Sequence, residues 1–383
     1  MRTFALATLM AGLLASTAAQ AEIKIGAILS LTGPAASLGI PEKQTIDVLP
    51  KEIDGEKVTY IIVDDASDPS AAVRAASKLI NEDKVDVVLG PSITPTSLAI
   101  LETMANGKTP FISAAGSAVI ASPVEGPKTW AFKLAPQESS MAHYVYGSME
   151  KAGDKTVGFI GFNDAFGDSF IGAFKKEAET RGIEVVSDER YSARDSSVTA
   201  QALSTVSANP DAVIIGASGT PGVAPILELR DLGYEGDIYI NQGMANPDVL
   251  RVGGDALNGV MLAVSPVLVA EQLPDDNPVK GEALKYISTY EGKYGEGTRN
   301  LFGATVWDAF KLASAAAVEA KKTAEPGTVE FREALRNELE SLRDVVGAQG
   351  VFNMSPTDHN GTDLRAESLV KIENGGWTYV PLD

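Results

Sequence analysis

The stretch Ile23-Lys24-Ile25-Gly26-Ala27-Ile28-Leu29-Ser30-Leu31, running into Thr32-Gly33-Pro34, sets the architecture of this chain. Its apolar residues are nearly continuous rather than alternating, which describes a strand covered on both faces, as in parallel sheets flanked by helices. Similar runs recur at 58–64, 85–89, 110–113, 156–161, 183–186, 212–216, 238–240 and 260–264. Between them, 71–82, 98–105, 170–181 and 199–208 carry apolar residues at helical spacing. A strand-helix-strand unit repeated in this way predicts an α/β protein with doubly wound parallel sheets. The plan occurs twice, once before about residue 135 and once after it.

Upstream of that strand, Arg2 precedes an uninterrupted apolar run, Phe4 to Ala15, and the segment ends Ala19-Gln20-Ala21. This is the pattern of a cleaved signal peptide, so the mature chain is expected to start at Glu22 and to work in the periplasm. The run is too short to span a bilayer, and later apolar segments are broken by charges, glycine or proline. With no cysteine anywhere, a lipid anchor, disulfides, thiol nucleophiles and thiolate metal sites are not expected. Removing 21 residues from 383 leaves 362, enough for two domains, and 44% hydrophobic content supplies two cores. The formal charge of −19 becomes −20 when Arg2 is lost, which argues against nucleic acid or anionic membrane as partner.

Several helix starts pair a capping residue with proline: Asp68-Pro69, Thr94-Pro95, Thr220-Pro221, Asn246-Pro247 and Asn277-Pro278. Where these follow strands, helix N-termini gather at the carboxyl edge of a sheet, the edge at which open α/β sheets bind ligands and where anions are favoured. Catalytic patterns are missing. His143 and His359 have no partners at metal or triad spacing, and the chain has neither a nucleophile elbow nor a phosphate-binding loop. Asp64-Asp65 ends a strand as a ribose-binding acid would, but the turn at 31–39 lacks the dinucleotide glycine pattern. No metal, cofactor or catalytic residue is expected.

Four segments carry a resemblance to a family: Ile25 to Pro34, Val-Val-Leu-Gly-Pro-Ser at 87–92, Pro-Phe-Ile-Ser-Ala-Ala-Gly-Ser at 110–117 and Asn-Asp-Ala-Phe-Gly at 163–167. With their order and spacing, the chain resembles the periplasmic solute-binding proteins of branched-chain amino acid ABC transporters, the leucine/isoleucine/valine-binding type. The resemblance implies the type I periplasmic binding fold, two lobes joined by three hinge crossovers. It places lobe one at 22–137 plus 266–349 and lobe two at 138–265 plus 350–383. It also implies a monomer that closes over a ligand and delivers it to membrane permease subunits without chemistry.

Residue by residue, the family's first-lobe carboxylate clasp falls on Thr94, Ala115 and Ser117, two hydroxyls and a backbone N–H. Thr94 also heads a helix. The second lobe departs from the pattern. Gln242 stands where leucine-type relatives place the acid that pairs with the ligand's ammonium, and a buried ammonium without a counter-charge is costly. Tyrosine positions are taken by Phe166 and Ser218. With Leu38, Met244 and Phe302 nearby, the expected chamber is largely apolar with a polar clasp at one end. The expected ligand is therefore a small organic carboxylate without an α-ammonium group, first an aromatic acid such as a benzoate derivative. Gln242 would meet a ring hydroxyl or another polar group. Two alternatives stand beside it: a branched-chain or other hydrophobic amino acid binder with a rearranged ammonium site, and a ligand-sensing domain of the same fold.

Overall fold

A computed structural model describes residues 22–381 of the chain; the expected signal peptide, 1–21, lies outside the described residues. The run that begins at Ile23 forms β1 (Glu22–Leu29), which sits inside a six-stranded sheet. Its companions are β2 (Glu52–Ile53), β3 (Glu56–Asp64), β4 (Val87–Leu89), β5 (Phe111–Ser113) and β6 (Ala131–Lys133), in the order β2-β3-β1-β4-β5-β6. Every pair is parallel except the short β2–β3 turn-back. Ile25, Ala27, Ile28 and Leu29 are fully buried, as continuous apolar runs require.

The second sheet holds β7 (Thr156–Phe162), β8 (Glu184–Tyr191), β9 (Ala212–Gly216), β10 (Asp237–Asn241) and β11 (Met261–Val264), all parallel. A two-stranded hairpin follows, β12 (Val345–Val346) with β13 (Val351–Phe352). The chain then returns to the second sheet with β14 (Ser368–Glu373) and β15 (Gly376–Val380), which extend its edge antiparallel in the order β15-β14-β11-β10-β9-β7-β8. The parallel plan thus holds for both sheet centres, and the antiparallel edges are additions that apolar runs alone did not disclose.

Helices α1 (Ala36–Ile46), α2 (Pro69–Lys78) and α3 (Thr94–Asn106) cover the first sheet, and α4 (Glu138–Ala152), α5 (Ala165–Arg181), α6 (Thr199–Ser207), α7 (Val223–Asp231) and α8 (Pro247–Gly253) the second. Both α3 and α5 start a turn or more before the first residue of their apolar stripe. Periodicity marks the residues that face the core, whereas these first turns bring Thr94, Pro95 and Phe166 to the space between the lobes. After α9 (Lys280–Tyr294), α10 (Leu301–Ala320) packs between α1 and α11 (Val329–Ser341) on the first lobe. By length and composition α10 could cross a membrane, yet 78% of its most apolar window is buried inside the protein.

The chain passes between the sheets after β6, after β11 and between β13 and β14. Lys133, at the end of β6, is buried and donates from Nζ to the carbonyls of Ala135 (2.6 Å) and Pro136 (2.9 Å). Burial pulls its pKa down to about 8. His359 is equally buried, stacked on Phe132 with 4.1 Å between ring centroids and bonded to Ala131 O and Glu340 Oε1. It is a structural residue of the last passage. Asp308 of α10 reaches the β12–β13 hairpin, accepting from the N–H groups of Ala348 (2.6 Å) and Gln349 (2.9 Å), and burial pushes its carboxyl up to about 7.

Candidate functional site

The carboxyl ends of the strands in both sheets face one cavity of about 190 Å³. The first lobe contributes Pro34, Leu38, Ser92, Ile93, Thr94 and Gly116 to its wall, and the second Asp164, Phe166, Arg194, Ser218 and Gln242. Leu301 and Phe302, at the start of α10, complete it. The lobes touch around this space. A methyl group on Gly116 would lie 3.2 Å from Phe166 Cε2 and 3.7 Å from Gln242 Nε2. Gly219, at φ +63°, approaches so closely that a Cβ there would meet Leu38 Cδ1 at 2.8 Å.

The local backbone explains why certain polar side chains remain unspent. Ile93, not Thr94, occupies the N-cap of α3, and Thr94 is the first helical residue with Pro95 behind it. Released from capping, its Oγ1 is buried with no hydrogen-bond partner. Ser117, one residue behind the wall at Gly116, is likewise buried with a partnerless Oγ. Its loop is tied across the lobes by the Ala118 N–H, which donates to Glu138 Oε2 at the head of α4 (2.9 Å). At the end of β10, Asn241 uses its whole side chain on backbone. Its Nδ2 donates to Ile215 O and Ala217 O, and its Oδ1 accepts from Gly243 N. That leaves the amide of the next residue, Gln242, 3% exposed and with both Oε1 and Nε2 unpartnered. Buried polar groups are nearly always satisfied, so Thr94 and Gln242, which meet at one cavity from two lobes with Ser117 buried behind Gly116, mark its polar end.

Other expected residues differ in their placement. Phe166, Ser218, Leu38 and Phe302 line the cavity. Ala115 does not: its N–H donates to Ser113 Oγ at 3.1 Å and is not free for a ligand. Met244 is also off the wall, fully buried with its sulfur against Gly222, because the turn that aims Gln242 inward rotates residue 244 into the lobe core.

Beneath the wall, Ser92 Oγ donates to Glu42 and accepts from Ser30 N (3.0 Å), while Ser30 Oγ donates to Asp65 Oδ1 (2.7 Å). Burial raises the carboxyls of both Glu42 and Asp65, favouring their neutral forms under the cavity floor. Asp164 caps α5, its Oδ1 accepting from the N–H groups of Phe166 and Gly167 (3.0 Å each), and burial raises its carboxyl too. Arg194, Asp164 and Ser92 were not read as site residues from the sequence. Arg194 lies in a polar loop without periodicity; its position just beyond a strand's carboxyl end was the available signal.

From residue 22 to residue 375 the chain matches the family described as periplasmic binding protein. The chain belongs to that family. This periplasmic binding protein is 26% identical to the Leu/Ile/Val-binding protein BraC3 of Rhizobium johnstonii over 96% of each chain. Its structure superposes on an extracellular ligand-binding receptor from Rhodopseudomonas palustris HaA2 with TM-score 0.91 and 39% identity, covering 94% of this chain and 100% of that one. An ABC-transporter solute-binding protein of R. palustris in complex with benzoate matches with TM-score 0.79 over 94% and 95% of the two chains, and at 20% identity that likeness speaks for the fold. The two-lobed α/β architecture is the type I periplasmic binding fold, and this protein is a substrate-binding component of the ABC-transporter kind rather than an enzyme.

Proposed function

We propose that this periplasmic binding protein captures a small organic carboxylate, first an aromatic acid such as a benzoate derivative, and presents it to an ABC importer's permease. In this reading the mature chain starts at Glu22, stays in the periplasm as a monomer, and closes lobe one (22–137 plus 266–349) on lobe two (138–265 plus 350–383). The carrying observation is the pair of buried, partnerless groups Thr94 Oγ1 and the Gln242 amide in the wall beside the apolar surfaces of Leu38, Phe166 and Phe302, with the partnerless Ser117 Oγ one residue behind Gly116. Two hydroxyls suit a carboxylate, an amide suits a ring substituent, and the apolar walls suit a ring. The ligand stabilises the closed state because it touches both lobes at once.

Asp164 is the acid in the wall, and it gives the amino acid reading its one specific support. Its Oδ1 already serves two backbone N–H groups. A thermal-shift comparison of residues 22–383 with benzoate and with leucine separates the two readings. A ligand at 100 times its Kd adds ~2.7 kcal/mol to stability, enough to raise the midpoint by a few degrees. Benzoate alone is expected to do so. A shift with leucine alone would overturn the carboxylate reading and mean that another group supplies the counter-charge, with Asp164 the acid in the wall to test next.

A further inference from the structure

Two arginines flank the second-lobe side of the cleft, and they are treated differently by their surroundings. Arg190, in β8, is neutralised by Asp188 (2.7 Å) and Asp168 (3.1 Å). Arg194, three residues beyond the strand, pairs with no acid among the described residues, although its side chain is exposed and the protein is strongly acidic. Its backbone is nevertheless fixed. The Ser192 N–H donates to Asp195 Oδ2 (2.8 Å), the Asp195 N–H to Ser192 O (2.9 Å) and the Arg194 N–H to Ser192 Oγ (3.2 Å). The acid in this turn, Asp195, turns Oδ2 to the backbone and makes no ion pair with Arg194, which is exposed and is the single cationic residue of the described wall.

The cavity thus has two polar ends of different character. Inside are the neutral groups Thr94 and Gln242, with Ser117 one residue behind Gly116; at the mouth is a cation without an acid partner. We propose that Arg194 is a specificity residue for a second acidic group, so that the preferred ligand is a two-ended aromatic acid with one carboxylate in the neutral clasp and an anionic group held by Arg194. The inference rests on the carboxylate reading given above. A guanidinium is suited to the task because its planar fork can grip a carboxylate with two parallel hydrogen bonds. Being at the mouth, the contact is partly screened and weakens with salt. The same cation draws anions toward a cleft whose surroundings repel them.

The test compares three para-substituted probes by titration calorimetry on residues 22–383: benzoate, terephthalate, and 4-carbamoylbenzoate, whose amide copies the shape of the second carboxylate without its charge. Unaltered protein is expected to bind terephthalate roughly ten-fold or more tighter than 4-carbamoylbenzoate, with the gap narrowing at high salt. Arg194→Met keeps the apolar stem and is expected to shrink the gap to within about two-fold, while Arg194→Lys retains part of it. An unaltered protein that binds benzoate but shows no preference for terephthalate overturns this inference and leaves the carboxylate reading standing. So does a gap that survives in Arg194→Met. Failure of all three probes overturns the carboxylate reading, and this proposal with it.

Discussion

Thr94, Ser117 and Gln242 share one property: each buries a polar group that the fold does not use. Replacing such a residue by an apolar isostere removes an unsatisfied group from the empty protein and a hydrogen bond from the complex. Ser117→Ala and Thr94→Val are therefore expected to leave the thermal midpoint of the ligand-free protein unchanged or slightly higher. Each is expected to weaken benzoate binding by about 1.5–3 kcal/mol, the range for bonds to a charged partner. A midpoint that falls by several degrees with affinity intact would make these residues structural. Gly116→Ala tests closure at the same scale. Its methyl meets Phe166 across the cleft at 3.2 Å, so affinity is expected to fall while ligand-free stability holds. That Thr94 and Gln242 reach the cavity wall was legible in the sequence because the motifs around them fix their positions. Ala115 and Met244 were not, since whether an N–H is free and which way a turn rotates a side chain depend on neighbours such as Ser113 and Asn241.

At the scale of elements, continuous apolar runs announced the central strands, and caps such as Asp68 and Asn246 behave as their positions suggested. Two kinds of element escaped. The antiparallel edge of β14 and β15 is only half covered, with Gly376 to Val380 all partly exposed, so it lacks the unbroken apolar signature. The long α10 is buried nearly all round and shows no stripe. The tie between α10 and the β12–β13 hairpin is open to test. Asp308→Ala removes the acceptor of two buried N–H groups and opens a gap beneath Gly347, so unfolding by urea is expected to show a loss on the order of 2 kcal/mol or more. An unchanged midpoint would mean water replaces the carboxylate without cost.

For the whole molecule, the titrating groups fall into two sets with opposite signs. Asp86 and Asp308 have folded-state values raised by burial to about 6 and about 7, above the ordinary carboxyl value. Each favours the fold fully below pH ~4 and loses that contribution as pH rises through its folded value. Asp211 is held low by the N–H groups and hydroxyl of Lys155 and Thr156, and Asp363 by Arg365. Their contribution is present above pH ~4 and lost as acid protonates them. High negative charge adds self-repulsion that grows with pH. The thermal midpoint is therefore expected to be highest near pH 5, lower at pH 8 and lower again below pH 4. A profile that rises from pH 5 to pH 8 would show that the buried carboxyls are better solvated than their burial implies.

The burial of α10 carries a cost that the folded molecule hides. On the export route proposed above the chain is threaded through a translocation channel unfolded, and there Leu301–Ala320 would meet lipid without the rest of lobe one to cover it. Asp308 and Lys311 lie near its middle, and each charged side chain there opposes partition into the bilayer by about 2.5–3.5 kcal/mol. On that route the carboxylate that later anchors a hairpin would serve first as a pass through the membrane. Asp308→Leu is the change most apt to strand the chain halfway across as an unintended transmembrane protein, before folding has begun.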